Sequence, residues 1–260
     1  MSVGASGPHS HGEPPLYLAS GLLTAARLPH LFTTRHFPGV RAWRDPRGPF
    51  DESALALIGN SGLPGDGVGF ARQVHGAEMA VVTEAGPAGP ADVLMTDRPG
   101  LRLAIFTADC LPIVVFDRRH RRLAMAHAGW RGTVQAAARV AADALVMAGA
   151  APEELLAAIG PSIGPCCYEV DAPVIERLEA AFAGAWRRWV KPAGPGKWML
   201  DLWKANEDQL REAGLIEARI DNPRLCTACR ADLFFSYRRG RGEGRLVALA
   251  ALPDGSGAAC

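Results

Sequence analysis

The amino-acid sequence predicts a single α+β domain, and three observations support that prediction. The chain has 260 residues, of which 48% are hydrophobic and 21% are charged, an ordinary globular composition that excludes wholesale disorder. Strand-like segments occur in runs with helical segments placed irregularly between them, which favours α+β over a regular βαβ alternation. No internal repeat or clear linker interrupts the body of the chain. We therefore expect a flexible tail at 1–15 followed by one domain at 16–260.

The elements follow from local patterns. Six short apolar segments are predicted strands, at 69–74, 79–83, 103–107, 112–116, 123–127 and 245–252. Three longer segments with helical periodicity are predicted helices, at 133–148, 172–184 and 202–213. Gly149 supplies a stop for the first helix, and Asp171 is the candidate N-cap of the second. The Pro/Gly clusters at 61–69, 86–90 and 192–196 are predicted surface loops.

Charge and hydropathy exclude some classes of partner. The 28 basic and 27 acidic residues give a net charge of +1, so the basic excess of a nucleic-acid-binding domain is lacking. The most apolar long run, 101–116, contains Arg102 and Asp109, so no membrane span is expected. The first fifteen residues lack the basic start and apolar centre of a secretory signal. These features favour a cytoplasmic protein with reduced cysteines.

The segment T-A-D-C-L-P at 107–112 places a carboxylate and a thiol between two apolar strands. Burying Asp109 without a partner would be costly, so this carboxylate requires a hydrogen-bond donor or water. The segment indicates either a functional site or a structural turn in which Cys110 is a small buried hydrophobe. Taken alone, it leaves both interpretations open.

Two further segments place a histidine at the end of a predicted strand. In A-H-A-G-W-R-G-T at 126–133, His127 precedes a glycine turn and a helix start, where Arg131 suits an anion. The alternative is a tight turn in which Arg131 pairs with a carboxylate. In R-Q-V-H-G at 72–76, His75 also ends a strand. No local chelating motif joins His75, Cys110 and His127, but strand ends can converge in space.

The remaining cysteines offer a weaker signal. Cys226 and Cys229 form one CxxC, and a zinc site would need two more ligands. No second CxxC exists, and we do not expect the adjacent Cys166 and Cys167 to supply the missing ligands. These cysteines are therefore interpreted as structural or incidental.

Five ordered blocks carry a more specific signal: RQVHG, TADCLPI, AHAGWRGT, IGPSIGPCCYEV and CTACRADLFFSYRR, within Arg72 to Leu252. Together they resemble the YfiH-type family, known both as laccase-domain or polyphenol oxidase proteins and as purine nucleoside phosphorylases. The resemblance implies mixed or antiparallel β-sheets sandwiched by helices, an architecture related to some cysteine hydrolases. It also implies one zinc ion held by His75, Cys110 and His127.

The resemblance further implies an enzyme, a transferase and hydrolase, whose partners are purine nucleosides and phosphate. The implied activities are phosphorolysis of adenosine, inosine, guanosine and methylthioadenosine, and deamination of adenosine. Three protein ligands and an open position are typical of a catalytic zinc, which lowers the pKa of bound water to about 7. We expect a monomer or homodimer.

Other residues take candidate roles around this ligand set. Asp109 is the candidate general acid/base, as carboxylates are in other zinc deaminases. Arg131 and Gln73 are candidate phosphate- or substrate-binding residues. Arg35, in LFTTRHFPG, matches an arginine on an early strand of the family, although the following segment, 36–68, departs from the family pattern.

Three other functions use the same residues. Two histidines and a cysteine resemble a blue-copper ligand set, but a laccase needs many further histidines and the chain has seven in all. Copper is therefore less favoured than zinc. A hydrolase with Cys110 as nucleophile and His127 as base is the main alternative. A non-enzymatic zinc scaffold is the third.

Overall fold

The structure, a computed structural model, describes residues 8–41, 44–45, 48–240 and 243–254. The helices and strands of this described part are, in chain order, β1 (His9–His11), β2 (Tyr17–Ala19), α1 (Gly21–Ala25), β3 (His30–Thr33), α2 (Glu52–Asn60), β4 (Val68–Arg72), β5 (Met79–Val81), β6 (Gly86–Pro90), β7 (Val93–Thr96), β8 (Arg102–Thr107), β9 (Leu111–Asp117), β10 (Arg122–Ala128), α3 (Trp130–Val134), α4 (Ala137–Met147), β11 (Leu156–Ile159), β12 (Glu169–Asp171), α5 (Ala172–Phe182), β13 (Val190–Gly194), β14 (Lys197–Leu200), α6 (Leu202–Glu212), β15 (Ile220–Asp221), α7 (Tyr237–Gly240) and β16 (Leu246–Ala251).

The strands form two large mixed sheets and one small antiparallel sheet. The seven-stranded sheet has the order β1-β2-β3-β16-β8-β4-β6, and only its β8-β4 and β4-β6 pairs are parallel. The six-stranded sheet has the order β15-β11-β9-β10-β7-β5, with parallel pairs at its two ends. Strands β12, β14 and β13 form the small sheet.

Alternating side chains show how the layers stack. In β9, Ile113 and Val115 pack with helices α4, α5 and α6, whereas Val114 and Phe116 pack with the seven-stranded sheet. In the seven-stranded sheet, β8 and β16 alternate between this inter-sheet core and a core covered by α2. The two large sheets are therefore sandwiched between helices, as predicted. Burial on both faces also explains why these strands are continuous apolar runs.

The local predictions hold for most elements. All six predicted strands are present, as β4, β5, β8, β9, β10 and β16, with ends displaced by at most two residues. The predicted helices at 172–184 and 202–213 are confirmed as α5 and α6. Asp171 occupies the N-cap position of α5, but its side chain makes no capping hydrogen bond. Gly149 follows α4 with φ of +103°, as a helix stop requires.

The helix predicted at 133–148 is wrong in its start. It is split into α3 and α4 by Ala136, whose φ is +59°. The hydrophobic periodicity of the sequence does not show this break, because polar side chains of α6 form hydrogen bonds with Thr133 beside it. The side chain of Gln209 donates to the carbonyl of Thr133 at 2.8 Å, and Asn206 donates to the Thr133 hydroxyl at 2.9 Å.

Three segments predicted as irregular contain edge strands, and one of them is the predicted loop at 192–196, whose first three residues belong to β13. Within the predicted tail at 1–15, β1 pairs with β2 and His11 stacks on Tyr17 at 4.5 Å, so regular structure begins before residue 16. Residues 1–7 lie outside the described part. The predicted loop at 86–90 is β6, whose prolines are tolerated because it forms the sheet edge. None of the described helices is long and apolar enough to cross a membrane.

Candidate metal centre and cavity

The candidate site lies where the chain crosses from one large sheet to the other. Residues 108–110 join β8 of the seven-stranded sheet to β9 of the six-stranded sheet, and this crossover contains Cys110. His75 lies in the connection from β4 to β5, which makes the same crossing. His127 lies near the end of β10, paired with Pro112 of β9. The ligand atoms of these three side chains lie within 4.8 Å of one another.

The crossovers adopt unusual backbone conformations. His75 and Asp109 have φ of +64° and +92°, in the region that non-glycine residues seldom occupy. Opposite them, the chain passes so close to Cys110 that a Cβ on Gly129 would lie 2.7 Å from the Cys110 sulfur. A glycine is therefore required there if the thiol is to keep its position.

Asp92, which our sequence analysis missed, supports the cluster from behind. It is fully buried, and its carboxylate accepts hydrogen bonds from the backbone N–H groups of Val74, His75 and Gly76 at 2.7–3.1 Å. It also lies 2.8 Å from Nδ1 of His127. Burial acts to raise the pKa of Asp92, but the hydrogen bonds from His127 and Gly76 outweigh it and lower the pKa. The available signal was an isolated acid directly before an apolar strand.

The cluster is electrostatically coupled. Burial alone would raise the pKa of the Cys110 thiol, but the charge and hydrogen bonds of His127 and His75 lower it to about 6. Burial would lower the pKa of His127, but the Cys110 thiolate and Asp92 raise it to about 9. Both pKa shifts favour a thiolate at Cys110 beside an imidazolium at His127. A metal cation can take the place of the imidazolium proton and neutralise the thiolate.

This donor set fits a metal ion. The contact of Nδ1 with Asp92 leaves Nε2 of His127 as the nitrogen free to coordinate, and carboxylate–histidine pairs of this kind commonly orient metal ligands. One thiolate and two imidazoles suit zinc and also copper. No other histidine of the described residues joins a cluster of potential ligands. The side chains of His11, His30, His36 and His120 make separate contacts, and His9 is paired with Ala19 in the β1–β2 ladder. Such an arrangement does not provide a multicopper centre.

The cluster opens into a cavity of about 530 Å³, within the size range of small-molecule sites. Besides His75, Cys110 and His127, its lining includes aromatic side chains (Phe106, Trp130, Tyr168, Tyr237) and arginines (Arg44, Arg131, Arg238, Arg245). Apart from Arg131, these aromatic and arginine residues were not singled out by our sequence analysis. Of them, Trp130, Tyr168, Tyr237 and Arg238 lie within the motif blocks.

Asp109 lines the cavity next to Cys110. Its carboxylate is held from two sides, accepting hydrogen bonds from the Thr227 hydroxyl at 2.6 Å and from the backbone N–H of Arg238 at 2.7 Å. The hydrogen-bond donors that a buried Asp109 requires are therefore present. Because each oxygen accepts one bond, each retains a lone pair for a further contact.

The three candidate substrate contacts differ in position. Arg131 lines the cavity with its guanidinium 4.6 Å from the centroid of the Trp130 ring, and no carboxylate of the described residues pairs with it. Gln73 also lines the cavity, but its amide exchanges two 2.7 Å hydrogen bonds with the backbone of Phe106. Arg35 does not line the cavity; it stacks over Phe235 and donates to the carbonyl of Ala231. The predicted substrate contact from Arg35 is not supported by this placement.

The cysteines interpreted as incidental are also brought together. The sulfurs of Cys166, Cys167, Cys226 and Cys229 lie within 4.8 Å of one another. The two pairs are so far apart in sequence that no local pattern indicates this contact. Cys166 and Cys167 were not expected to supply the two ligands that Cys226 and Cys229 lack, but the structure places their sulfurs beside the CxxC. The reason is that the 160–168 loop is paired with the strand-like segment at Cys226.

The cavity lies at the crossovers that connect the two large sheets, with a His₂Cys cluster and four arginines in its lining. These features place the chain in a class of α+β proteins with a candidate metal centre. The family described as "Multi-copper polyphenol oxidoreductase laccase" matches residues 44–253. The chain belongs to this family.

Similar proteins agree with that assignment. The chain is 38% identical over 191 residues to "Purine nucleoside phosphorylase YlmD" of Geobacillus stearothermophilus, covering 68% of this chain and 69% of the relative. It is 34% identical over 205 residues to "Adenosine deaminase RL5" of an unknown prokaryotic organism, covering 75% and 78%. The crystal structure of the Bacillus licheniformis protein YfiH superposes with a TM-score of 0.83 at 29% identity, covering 92% and 97%. The resemblance to the YfiH-type family is confirmed, and relatives named as enzymes support an enzyme.

Proposed function

We propose that this protein is a zinc-dependent purine nucleoside phosphorylase. Its proposed substrates are adenosine, inosine, guanosine and methylthioadenosine, and we propose that it also deaminates adenosine. The observation that carries the proposal is the His75, Cys110 and His127 cluster, which opens into a nucleoside-sized cavity surrounded by arginines. The names of the relatives support the substrate class.

The proposed metal ligands are His75, Cys110 and His127, with Asp92 as a positioning residue. Zinc bound there would supply a Lewis acid and make a coordinated water more acidic. The protein contributes the remainder. Asp92 keeps the His127 ring in one orientation, and the narrow passage at Gly129 keeps the Cys110 sulfur in place.

The cavity can bind both reactants of a nucleoside phosphorolysis, the phosphate and the nucleoside. In that reaction a phosphate oxygen bonds to C1′ of the ribose, the C1′–N9 bond breaks, and the purine leaves with its electron pair and takes up a proton. Arg131 and the other cavity arginines can hold phosphate by charge-assisted hydrogen bonds. The rings of Trp130 and Tyr168 also line the cavity; each has an arginine over one face, and the rest of its surface can contact a purine.

Deamination requires a group that moves a proton from the attacking water to the departing ammonia. Asp109 is our candidate for this general acid/base, because its carboxylate lines the cavity beside Cys110 and retains free lone pairs. Its two hydrogen bonds fix the direction in which it presents those lone pairs.

One observation favours the alternative of a cysteine hydrolase. The Cys110 pKa of about 6 beside His127 is what an activated thiol nucleophile also needs. The two functions differ in metal content: zinc bound tightly through Cys110 removes the free thiolate. Elemental analysis of the purified protein, with alkylation of Cys110 before and after chelation, separates them.

The decisive experiment follows purine products. Zinc-loaded protein is incubated with adenosine or inosine, with and without phosphate, and adenine, hypoxanthine and ribose-1-phosphate are separated by chromatography. We expect ribose-1-phosphate only when phosphate is present, and inosine or hypoxanthine from adenosine. Cys110→Ala should abolish turnover while the protein stays folded. If wild-type protein converts no purine nucleoside, the proposal is wrong. Activity that survives in Cys110→Ala would exclude Cys110 from the machinery.

A further inference from the structure

A second group of potential metal ligands lies outside the cavity. We call Cys166, Cys167, Cys226 and Cys229 the cysteine quartet. Their four sulfurs lie within 4.8 Å of one another, and Cys229 is 3.4 Å from both Cys166 and Cys167. A disulfide has a sulfur–sulfur distance of about 2.05 Å, so these contacts are between unbonded thiols.

The spacing of the quartet matches a single tetrahedral ion. With zinc–sulfur bonds of about 2.3 Å, a tetrahedron of thiolates has edges of about 3.8 Å. The observed separations of 3.4 to 4.8 Å bracket that value, so small movements suffice to close the site. Four soft sulfur ligands in a tetrahedron are typical of zinc, and they leave no open position for a substrate.

Backbone hydrogen bonds hold together the two segments that carry the quartet. Residues Ser162 and Cys226 form a parallel bridge that joins the two cysteine-bearing segments, through Ser162 N–H to Leu225 and Thr227 N–H to Ser162. The backbone N–H of Gly164 points at the sulfur of Cys226 at 3.3 Å. Hydrogen bonds of this kind stabilise a thiolate. Nearby, Arg239 donates to the carbonyl of Ala228, which places positive charge beside the CxxC.

We propose that the cysteine quartet is a structural zinc site, distinct from the His₂Cys cluster. The ion would join the loop at 160–168 to the loop at 225–230, two segments that are already linked by the short bridge at Ser162 and by the Gly164 N–H bond to Cys226. With all four ligands from the protein, the site serves structure and takes no part in chemistry.

The quartet adjoins the wall of the cavity. Cys167 immediately precedes Tyr168, which lines the cavity, and Thr227 lies between the two CxxC cysteines and donates to Asp109. Ile163, in the other loop, donates its N–H to the carbonyl of Asp109 at 2.8 Å. A zinc ion in the quartet would therefore hold both segments that position Asp109.

The test counts and characterises zinc in variants that separate the two sites. His75→Ala/Cys110→Ala removes two ligands of the cavity cluster, and Cys226→Ser/Cys229→Ser removes two ligands of the quartet. Each reduced protein is loaded with zinc, desalted and analysed by mass spectrometry of the metal. We expect about one zinc per chain in His75→Ala/Cys110→Ala, whereas Cys226→Ser/Cys229→Ser should lose one equivalent relative to wild type. Cys260→Ser, at a position outside the described residues, controls for the loss of a thiol as such.

The folded His75→Ala/Cys110→Ala protein also gives a direct readout. X-ray absorption at the zinc edge should show four sulfur ligands at about 2.3 Å. The proposal is overturned if this variant retains no zinc, or if the retained zinc has nitrogen or oxygen ligands. The result does not depend on the cavity: if the proposed catalytic zinc is absent, wild type also holds one equivalent, bound by sulfur alone.

Discussion

Asp92 shows how one buried carboxylate organises a site at the scale of single residues. It accepts three backbone N–H bonds from the segment that carries His75 and contacts Nδ1 of His127. Both histidines of the cluster are thus positioned by the same side chain. Removing one acceptor oxygen would disturb both, because an amide nitrogen cannot accept these bonds.

We therefore predict that Asp92→Asn weakens zinc binding by about 10- to 100-fold. Competition with a chromophoric chelator measures the affinity. Asp117→Asn is the matched control, since Asp117 is also buried, accepts backbone N–H bonds and lies 2.8 Å from a histidine, His120, at the opposite end of β9. Equal losses of zinc affinity in the two variants would mean that general destabilisation is the cause.

Cys110 should show an acidic titration in the metal-free protein. With its pKa lowered to about 6, the thiolate forms as the pH rises through 6, and the alkylation rate should level off above that point. Iodoacetamide labelling of chelated protein from pH 5 to 9, followed by mass spectrometry of the Cys110 peptide, measures the profile. His127→Ala should move the midpoint upward. A wild-type midpoint near 9, the ordinary value for cysteine, would contradict the coupling.

At the scale of elements, the sheet-to-sheet crossovers determine where the ligands lie. The β8–β9 connection is three residues long, so the chain must change sheets within Ala108, Asp109 and Cys110. Gly129, the residue that precedes α3, lies close to this crossover. Because both segments are anchored by buried strands, neither can retreat to admit a larger residue.

Gly129→Ala should consequently displace the Cys110 sulfur, since the new Cβ would lie 2.7 Å from it. A displacement of this size should lower kcat/KM for nucleosides by about 100-fold. Gly59→Ala, in α2 with open space around the site of the new methyl group, is the control and should stabilise the helix by about 0.5–1 kcal/mol. Kinetics and thermal unfolding of both variants check the prediction. Full activity in Gly129→Ala would show that the passage is less restrictive than its geometry indicates.

At the scale of the whole molecule, positive charge is concentrated at the cavity. The chain carries a net charge of only +1, yet among the described residues four arginines and one acidic residue, Asp109, line the cavity. Such a local excess attracts an anion without making the protein as a whole basic.

Arg131→Gln should therefore raise the KM for phosphate by about tenfold or more, with a smaller effect on the KM for inosine. Arg139→Gln is the matched control, because Arg139 is exposed on α4 and pairs with Asp143. Initial rates at varied phosphate with fixed inosine, and at varied inosine with fixed phosphate, give the comparison. An unchanged phosphate KM in Arg131→Gln would remove Arg131 from the anion site.

Much of the central fold was predictable from local patterns. Strands β8, β9 and β16 are buried along their whole length, and β10 is buried after Arg122, so each is an apolar run long enough to recognise. The short edge strands, such as β1 and β6, were missed because their pairing depends on a neighbouring edge and their composition is that of loops. The break at Ala136 was missed because its compensation comes from Gln209, 73 residues later in the chain.

The sequence by itself determined the identity of the cluster residues, since His75, Cys110 and His127 each lie in a recognisable block at a strand end. It also determined the layered α+β class, because strand periodicity is a local property of the chain. Only the tertiary structure decided that these side chains meet, that Asp92 supports them, and that four cysteines form a second cluster. The physical reason is that these contacts depend on which strands pair and where the chain crosses between sheets, and residues far apart in sequence carry no local pattern for them.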